Sequence, residues 1–531
     1  MKRSIFKILI ALVLLFGPLV QAQNLPVGTP VLEEYYRNLQ LLGKLDSNIS
    51  FTIRPLTSLA LQQENIYNPD TSLLKDSTGL GSQSFHAKRV GLQLLPLSLQ
   101  TQYNSRNPYG WNDGPMIPAR GFQTLLRGGV FAKYGVLSIQ LMPELVFAEN
   151  KAFTEIEPAK LSPRFPYYDL PQRFGIKPYF NFFPGQSSIR LNLNRISFGL
   201  SSENLSWGPG IYNSLLMSNN APGFYHLTVN TRRPISTPIG SFEGQLIAGR
   251  LDGSGYQAKP DDWRYLSGMA LTYQPKWVPG LFLGLTRSFQ MYSKEVGSSI
   301  SNYFPLLQAF EKQKTNEDAV NRDQLTSAFI RWLWVPAKVE VYFEYGRNDH
   351  SGNIRDFTLQ PEHSRAHTLG LKKVIGVPSG SFINLNYEMT QMQQPSSAFI
   401  RNAGSWYGHN GVVHGYTHGG QVLGAGIGPG ANSQTLEISA FNGLELYGLI
   451  MERYVHDTYA EITNGSKAWV DYSLELRSSK TFKNVILGAR LKAIGSSNYQ
   501  WRLKNPVAGS SEASGYDMFN LQAQIGCTYR F

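Results

Sequence analysis

The final stretch of the chain, FNLQAQIGCTYRF, alternates without a break. Phe519, Leu521, Ala523, Ile525, Cys527, Tyr529 and Phe531 are apolar, and Asn520, Gln522, Gln524, Gly526, Thr528 and Arg530 stand between them. Strict period two gives a strand one greasy face and one wet face. The same pattern recurs inside the chain. Val339, Val341, Phe343 and Tyr345 oppose Glu340, Tyr342 and Glu344, and Val470, Tyr472, Leu474 and Leu476 oppose Asp471, Ser473, Glu475 and Arg477. Such strands build either a soluble sheet with its charged face in water or a closed barrel with that face toward a lumen.

Three features favour the barrel. The chain opens on MKRSIFKILIALVLLFGPLVQA, with Lys2, Arg3 and Lys7 ahead of an apolar run that ends in small residues, so residues 1–22 read as a cleaved secretory signal peptide. No later segment is apolar for long enough to be a membrane helix, yet 28 Tyr, 29 Phe and 50 Gly are present. The single cysteine, Cys527, makes no intrachain disulfide, so an exported fold needs another closure, and a sheet without edges supplies one. The formal charge of +12 includes the three cations of the leader and is not gathered into a Lys/Arg run. Nucleic acid is therefore not an expected partner, whereas anionic surface glycolipid or polysaccharide is.

Residues 23–88 differ from the rest. Thr29-Pro30 can open a helix that carries Leu32, Tyr35, Tyr36, Leu39 and Leu42, and a second short helix follows Arg54-Pro55 through Leu59, Leu61 and Gln62. This is expected to be a small helical region on the periplasmic side. Residues 89–531 are expected to form an all-β, transmembrane outer-membrane antiparallel barrel of about eighteen strands. Short turns fall at Tyr134-Gly135, Pro184-Gly185, Pro279-Gly280, Pro336-Ala337, Pro378-Ser379-Gly380 and Asn442-Gly443, with long segments between them. Alternating short turns and long loops are the outer-membrane pattern. The turn at Pro184-Gly185 separates strands expected over 175–183 and 189–201. Trp332, Trp334, Trp469 and Tyr529 are read as interfacial aromatics at strand ends, and Arg127, Arg190, Arg490, Lys492, Glu144, Glu340, Glu344 and Glu475 as lumen-facing.

By that parity three unusual segments fall on the extracellular side: NPYGWNDGPMIPARG from Asn107, SWGPGIYNSLLMSNNAPGF from Ser206 and SWYGHNGVVHGYTHGGQVLGAGIGPGANSQ from Ser405. Together with IPARGFQTLLRGGVFAKYGVLSIQLMPEL from Ile117 and the helical start, they resemble the capsule assembly Wzi family. The resemblance implies an outer-membrane barrel of eighteen strands with a periplasmic helical region. It also implies a lectin-like, non-catalytic role in holding capsular or other surface polysaccharide at the cell.

A lectin packs sugar C–H faces on aromatics and meets hydroxyls with donors and acceptors. The candidate contacts are Trp111, Asn112, Asp113, Arg120, Trp207, Tyr212, Asn219, Asn220, Trp406, Tyr407, His409, His414, Tyr416 and His418, with Arg401 also available for carboxylates. Their alternative role is to pack the loops into a cap. His409, His414 and His418 fit no strong metal signature, and no G-x-S-x-G pattern joins Ser405 or Ser433 to a histidine, so neither a metal, a cofactor nor catalysis is expected. Terminal Tyr529 and Phe531 are read as the membrane-assembly signal that barrel-assembly machinery recognises. Outer-membrane lipid and lipopolysaccharide complete the expected partners. An open porin or transport channel is the alternative, because the lumen-facing set mixes signs.

Overall fold

The computed structural model describes residues 24–63, 65–69, 90–156, 173–255, 263–298, 303, 322–348, 358–378, 380–395, 404–458, 467–502 and 515–531. The expected leader, and Arg401, lie outside the described residues. Eighteen antiparallel strands close into a barrel. They begin with β1 (Val90–Asn104), β2 (Gly121–Tyr134), β3 (Leu137–Leu141 and Glu144–Ala148), β4 (Tyr179–Phe183 and Ser188–Leu193), β5 (Ile196–Ser201) and β6 (His226–Thr231 and Ile235–Thr237). Next come β7 (Gly240–Leu251), β8 (Arg264–Pro275), β9 (Leu281–Tyr292), β10 (Asp323–Trp334), β11 (Val339–Asn348) and β12 (Arg365–Gly376). The last are β13 (Phe382–Gln391), β14 (Asn432–Asn442), β15 (Glu445–Val455), β16 (Val470–Phe482), β17 (Val485–Ser497) and β18 (Met518–Tyr529). Strand β18 pairs with β1 from Gln522↔Asn104 to Tyr529↔Leu97, and that ladder closes the barrel.

The expected strand number holds, but one boundary moves. Pro184-Gly185 is not a hairpin turn. It interrupts β4, whose two halves pair with the two halves of β3. The hairpin lies at Asn194-Arg195 instead, where Asn194 adopts φ 53 and Leu193 pairs with Ile196. Asn tolerates the left-handed region well, so it makes the turn without Gly or Pro.

Polarity is inverted relative to a soluble protein. On β16, Tyr472, Leu474 and Leu476 are 55%, 48% and 57% exposed, while Asp471, Ser473 and Glu475 are 2%, 9% and 4% exposed. The apolar residues face outward, as the hydrocarbon of a bilayer requires, and a closed ladder satisfies every strand within that layer. Outward aromatics occur at both ends: Tyr134, Trp277, Trp332, Trp334, Tyr447, Phe482, Tyr529 and Phe531 at the end carrying the short turns, and Tyr103, Phe122, Tyr225, Tyr472 and Phe519 at the other. Trp469 is the exception to the expectation. It is buried at the loop end, against His456, Tyr499 and Trp501.

The N-terminal segment enters the lumen from the turn end. Helix α1 (Pro30–Leu41) starts at the expected Pro30, but the Thr29 hydroxyl donates to the Pro26 carbonyl and leaves the helix without a side-chain cap. In its place the Glu33 carboxylate accepts the Gly28 N–H at 3.0 Å. Helix α2 (Ser58–Leu61) is capped by Thr57, whose hydroxyl accepts the Ala60 N–H. Leu32, Tyr35, Tyr36 and Leu39 of α1 bury themselves with Leu45, Ile49 and Phe51 against Leu95, Phe131, Leu444 and Ile486 of the barrel.

Charged groups fix this plug to the wall. Glu340 of β11 accepts from Arg37 of α1 and from Arg331 of β10, whose Nε and Nη2 lie 3.0 Å away. Glu34 receives Arg477 of β16 at 2.8 Å. The expected lumen charges pair likewise: Arg127 with Glu144, Arg190 with Glu203 and Lys492 with Glu475.

Candidate functional site

The three segments singled out from sequence all leave the barrel at the loop end: residues 105–120 join β1 to β2, residues 202–225 join β5 to β6, and residues 392–431 join β13 to β14. The described parts of these loops turn back into the barrel. Their apolar residues (Leu205, Leu215, Leu216, Met217, Val422, Leu423 and Ile427) form one buried cluster with Ile247, Leu266, Leu325 and Ala366 of the wall.

The 202–225 loop reaches furthest and meets the N-terminal plug. Ser206 and Trp207 form a short antiparallel ladder with Arg54 and Ile53, and the Gly208 N–H donates to the Thr52 carbonyl. Arg37 and Arg54 donate to the carbonyls of Pro209 and Gly210. The inserts from the two ends are thus one hydrogen-bonded body inside the lumen. Wall carboxylates hold its backbone: Glu388 accepts the N–H groups of Ile211 at 2.7 Å and Asn213 at 2.7 Å, that of Tyr212 at 3.2 Å, and the Tyr342 hydroxyl. Loop carbonyls and N–H groups taken out of water need such partners.

Half of the predicted contact residues belong to this frame. Trp207 is fully buried, donates from Nε1 to Gln245 at 2.8 Å and lies over Gly268, where any Cβ would strike its ring. Trp406 donates to the Ser364 carbonyl and covers Gly346. The Tyr407 hydroxyl donates to the Leu215 carbonyl and accepts the Ala425 N–H, and its ring stacks on Tyr416. Asn220 accepts the Asn112 N–H and donates to the Val422 carbonyl. Trp406, Tyr407, Tyr416 and Asn220 are at most 2% exposed, so none presents a surface to a ligand in this conformation.

The three histidines do not converge. His409 accepts the N–H groups of Gly411 and Val412, His414 shares a proton with the Tyr292 hydroxyl, and His418 accepts the Asp252 N–H. Burial pulls the His418 imidazole down to about 4, which keeps it neutral at ordinary pH. Ser405 donates to Asp457 and Ser433 accepts from Asn213, so neither hydroxyl is set against a histidine. Among the described residues, no three His, Cys, Asp or Glu side chains come together as a metal site.

Trp111, Asn112, Asp113, Arg120, Tyr212, Asn219 and His409 remain half-exposed. Three of them knit the 105–120 loop to the 202–225 loop: Asn112 donates to the Tyr212 carbonyl, and its own carbonyl accepts from Asn219 Nδ2 at 2.8 Å. Lys492 lies 5.3 Å above the Trp111 ring and 5.4 Å above Tyr109. Burial pushes the Asp113 carboxyl up to about 6, opposed by Arg490 and Lys492. The wall beside this group is accessible too. Gln522, Gln524 and Arg490 are half-exposed, and Gly526 faces open space.

Sequence reasoning missed the aromatic chain that backs Trp111. Tyr109, Trp111, Tyr454, His456 and Trp469 follow one another, and Tyr499 and Trp501 both pack on Trp469, at ring separations between 3.4 and 5.2 Å. Its members come from three separate connections and the end of β15, so only the position of each beside a strand end hinted at the cluster. The wall carboxylates Glu388 and Glu437 were missed as well, although both sit on the polar phase of an alternating strand.

A family model described as capsule assembly protein Wzi matches residues 131–459. No curated protein matches the sequence. Among solved structures, Wzi of Escherichia coli, described as a carbohydrate-binding outer-membrane β-barrel involved in group 1 capsule assembly, superposes with a TM-score of 0.61 at 14% identity. That match covers 97% of this chain and 100% of the other, and it is a likeness of fold. OccD3 (OpdP) of Pseudomonas aeruginosa gives a TM-score of 0.41 at 10% identity, over 83% of this chain and 94% of its own. OccAB1 of Acinetobacter baumannii gives 0.40 at 8%, over 82% and 96%.

Proposed function

The chain belongs to the capsule assembly protein Wzi family, and on that premise we propose that it is an outer-membrane β-barrel that binds capsular or related surface polysaccharide and holds it at the cell without catalysing a reaction. The observation that carries this reading is the lumen. Plug and loops are joined there by the ladder of Ile53 and Arg54 with Ser206 and Trp207, so the barrel serves as a rigid mount for its loop face. In this reading the leader is removed on export, and barrel-assembly machinery reads Tyr529 and Phe531 during insertion into lipid and lipopolysaccharide. Polysaccharide contacts fall to the half-exposed set: Trp111 as a platform, Asn112, Asp113, Tyr212, Asn219 and His409 as hydrogen-bonding groups, and Arg120 for a carboxylate. Trp207, Trp406, Tyr407 and Tyr416 supply the frame behind them.

One observation favours a channel instead: the accessible wall at Arg490, Gln524 and Gly526. Two measurements separate the readings. A deletion strain that makes polymer in full but sheds it into the medium supports anchoring, and an unchanged split between cell and medium refutes it. Steady large conductance of the purified barrel in a planar bilayer would establish the channel.

A further inference from the structure

The turn end of the barrel carries a ring of cations that have no carboxylate partners among the described residues. Among the described residues, the eight turns contain Arg195, Lys276, Lys338 and Lys483 and no acid; Arg232 and Arg233 lie in the break of β6 just before its turn, and Glu445 opens β15. Lys373 of β12 and Lys480 of β16 add to them from outward positions just above the turns. Arg233, Lys276, Lys480 and Lys483 are exposed, and Arg195, Lys338 and Lys373 half-exposed. Among the described residues, none of these seven has a carboxylate within ion-pairing distance. At the loop end Lys151 pairs with Glu149 and Arg250 with Asp252, while exposed Arg106, Lys177 and Arg453 have no carboxylate partner among the described residues.

Outward aromatics share this rim. Trp277 stands beside Lys276, Phe482 lies between Lys480 and Lys483, and Trp334 is four residues before Lys338. The Lys480 ammonium sits 5.4 Å from the Phe482 ring, and Lys373 is held at the rim by the Ala337 carbonyl. Amphipathic aromatics settle at the level of lipid head groups, which puts the neighbouring cations there as well. The cations are spread from the β4–β5 turn through the β8–β9 and β10–β11 turns to the β16–β17 turn. A single docked protein would call for one charged face, whereas a surrounding leaflet meets the whole circumference.

We propose that this rim is a binding surface for anionic phospholipid head groups of the leaflet at the turn end, each phosphate neutralising a lysine or arginine that has no carboxylate partner among the described residues. The inference rests on the reading of the barrel as membrane-spanning and not on its polysaccharide.

The test uses the full chain in nanodiscs, with retained lipid counted by native mass spectrometry. Phosphatidylglycerol is expected to be retained over phosphatidylcholine by about tenfold, and the preference to fall several-fold at 0.5 M salt. The variant K276Q/K338Q/K373Q/K480Q/K483Q is expected to lose most of the preference. Equal retention of the two lipids by the unaltered chain would overturn the proposal, as would an undiminished preference in the folded variant. If that variant fails to fold, R232Q/R233Q and the salt dependence of the unaltered chain decide by the same criteria. A lost polysaccharide phenotype with intact lipid preference refutes the function and leaves the rim standing.

Discussion

Glu340→Gln removes the charge that fastens α1 to the barrel. The carboxylate is fully buried and accepts from two guanidinium groups, with Arg331 Nε and Nη2 at 3.0 Å and Arg37 Nε at 3.1 and 3.2 Å. Arg331 stays satisfied by Gln40 and the Ser50 carbonyl, and Arg37 keeps the Pro209 carbonyl, so neither loses every partner. Removing one side of a buried ion pair costs about 3–5 kcal/mol, and the amide retains one acceptor, so the low end applies. About 3 kcal/mol corresponds to roughly a hundredfold larger population with α1 released. Arg37 is 6% exposed when docked, so trypsin cleavage after it reports release. The measurement is the cleavage rate at Arg37 in the folded, heat-modifiable barrel, followed by mass spectrometry, under conditions where the rate tracks the open population. A rate within twofold of the unaltered chain would show that the ion pair does not hold the plug.

Three other outcomes are expected. Asp113 holds its proton up to about pH 6 in the folded loop but loses it near 4 when unfolded, so this group makes loop docking weaken as pH rises through that window. His418, brought down to about 4 from an ordinary value near 6.5, has the opposite effect, weakening docking as pH falls through the window. Hydrogen-exchange protection, corrected for intrinsic rates, should therefore move in opposite directions in the 105–120 and 404–431 segments, and Asp113→Asn or His418→Gln should abolish its own slope; a slope of the wrong sign in either segment would contradict the assignment made there. Trp207→Ala should cost about 3–5 kcal/mol by opening a cavity and leaving Gln245 Oε1 without its donor, read as lower heat-modification temperature, and an unchanged transition would mean that the 202–225 loop does not bear on barrel stability. Deleting Phe531, whose ring meets Tyr529 edge-on at 5.1 Å, should lower the amount inserted in the outer membrane; unchanged levels would leave the terminal aromatic without a role in assembly.

The strands were legible because alternation is a local property, and β11, β16 and β18 each show it over enough residues to exclude a helix. The number eighteen held while the β4 boundary failed for a specific reason. A Pro-Gly pair reads as a turn, yet Gly185 is needed where the chain passes so near Met142 and Glu144 that any Cβ would collide with them. The hairpin was left to an asparagine, a quieter signal. The site was harder to read because enclosure is not written into any one segment. SWGPGIYNSLLMSNNAPGF looks like a ligand loop whether it stands in water or folds inward. Its burial depends on Glu388 and Gln245, which lie on distant strands. Trp111 and Asp113 stay half-exposed because the neighbouring wall carries Gly526 and glutamines in place of bulkier groups.

The pairing of Glu34 with Arg477 spans 443 residues of chain, so it forms only once β16 has been made. The plug is synthesised before any of the strands that enclose it, and β16, which receives Glu34, is among the last. Until the β18–β1 seam zips shut, the barrel is a trough, and the cargo it must swallow is its own first sixty residues or so. A seam that closed early would leave the ladder at Ile53 to be threaded through a finished cylinder already filled from the other side by Trp207. The timing of the last hairpin would then govern whether a molecule emerges stoppered or hollow.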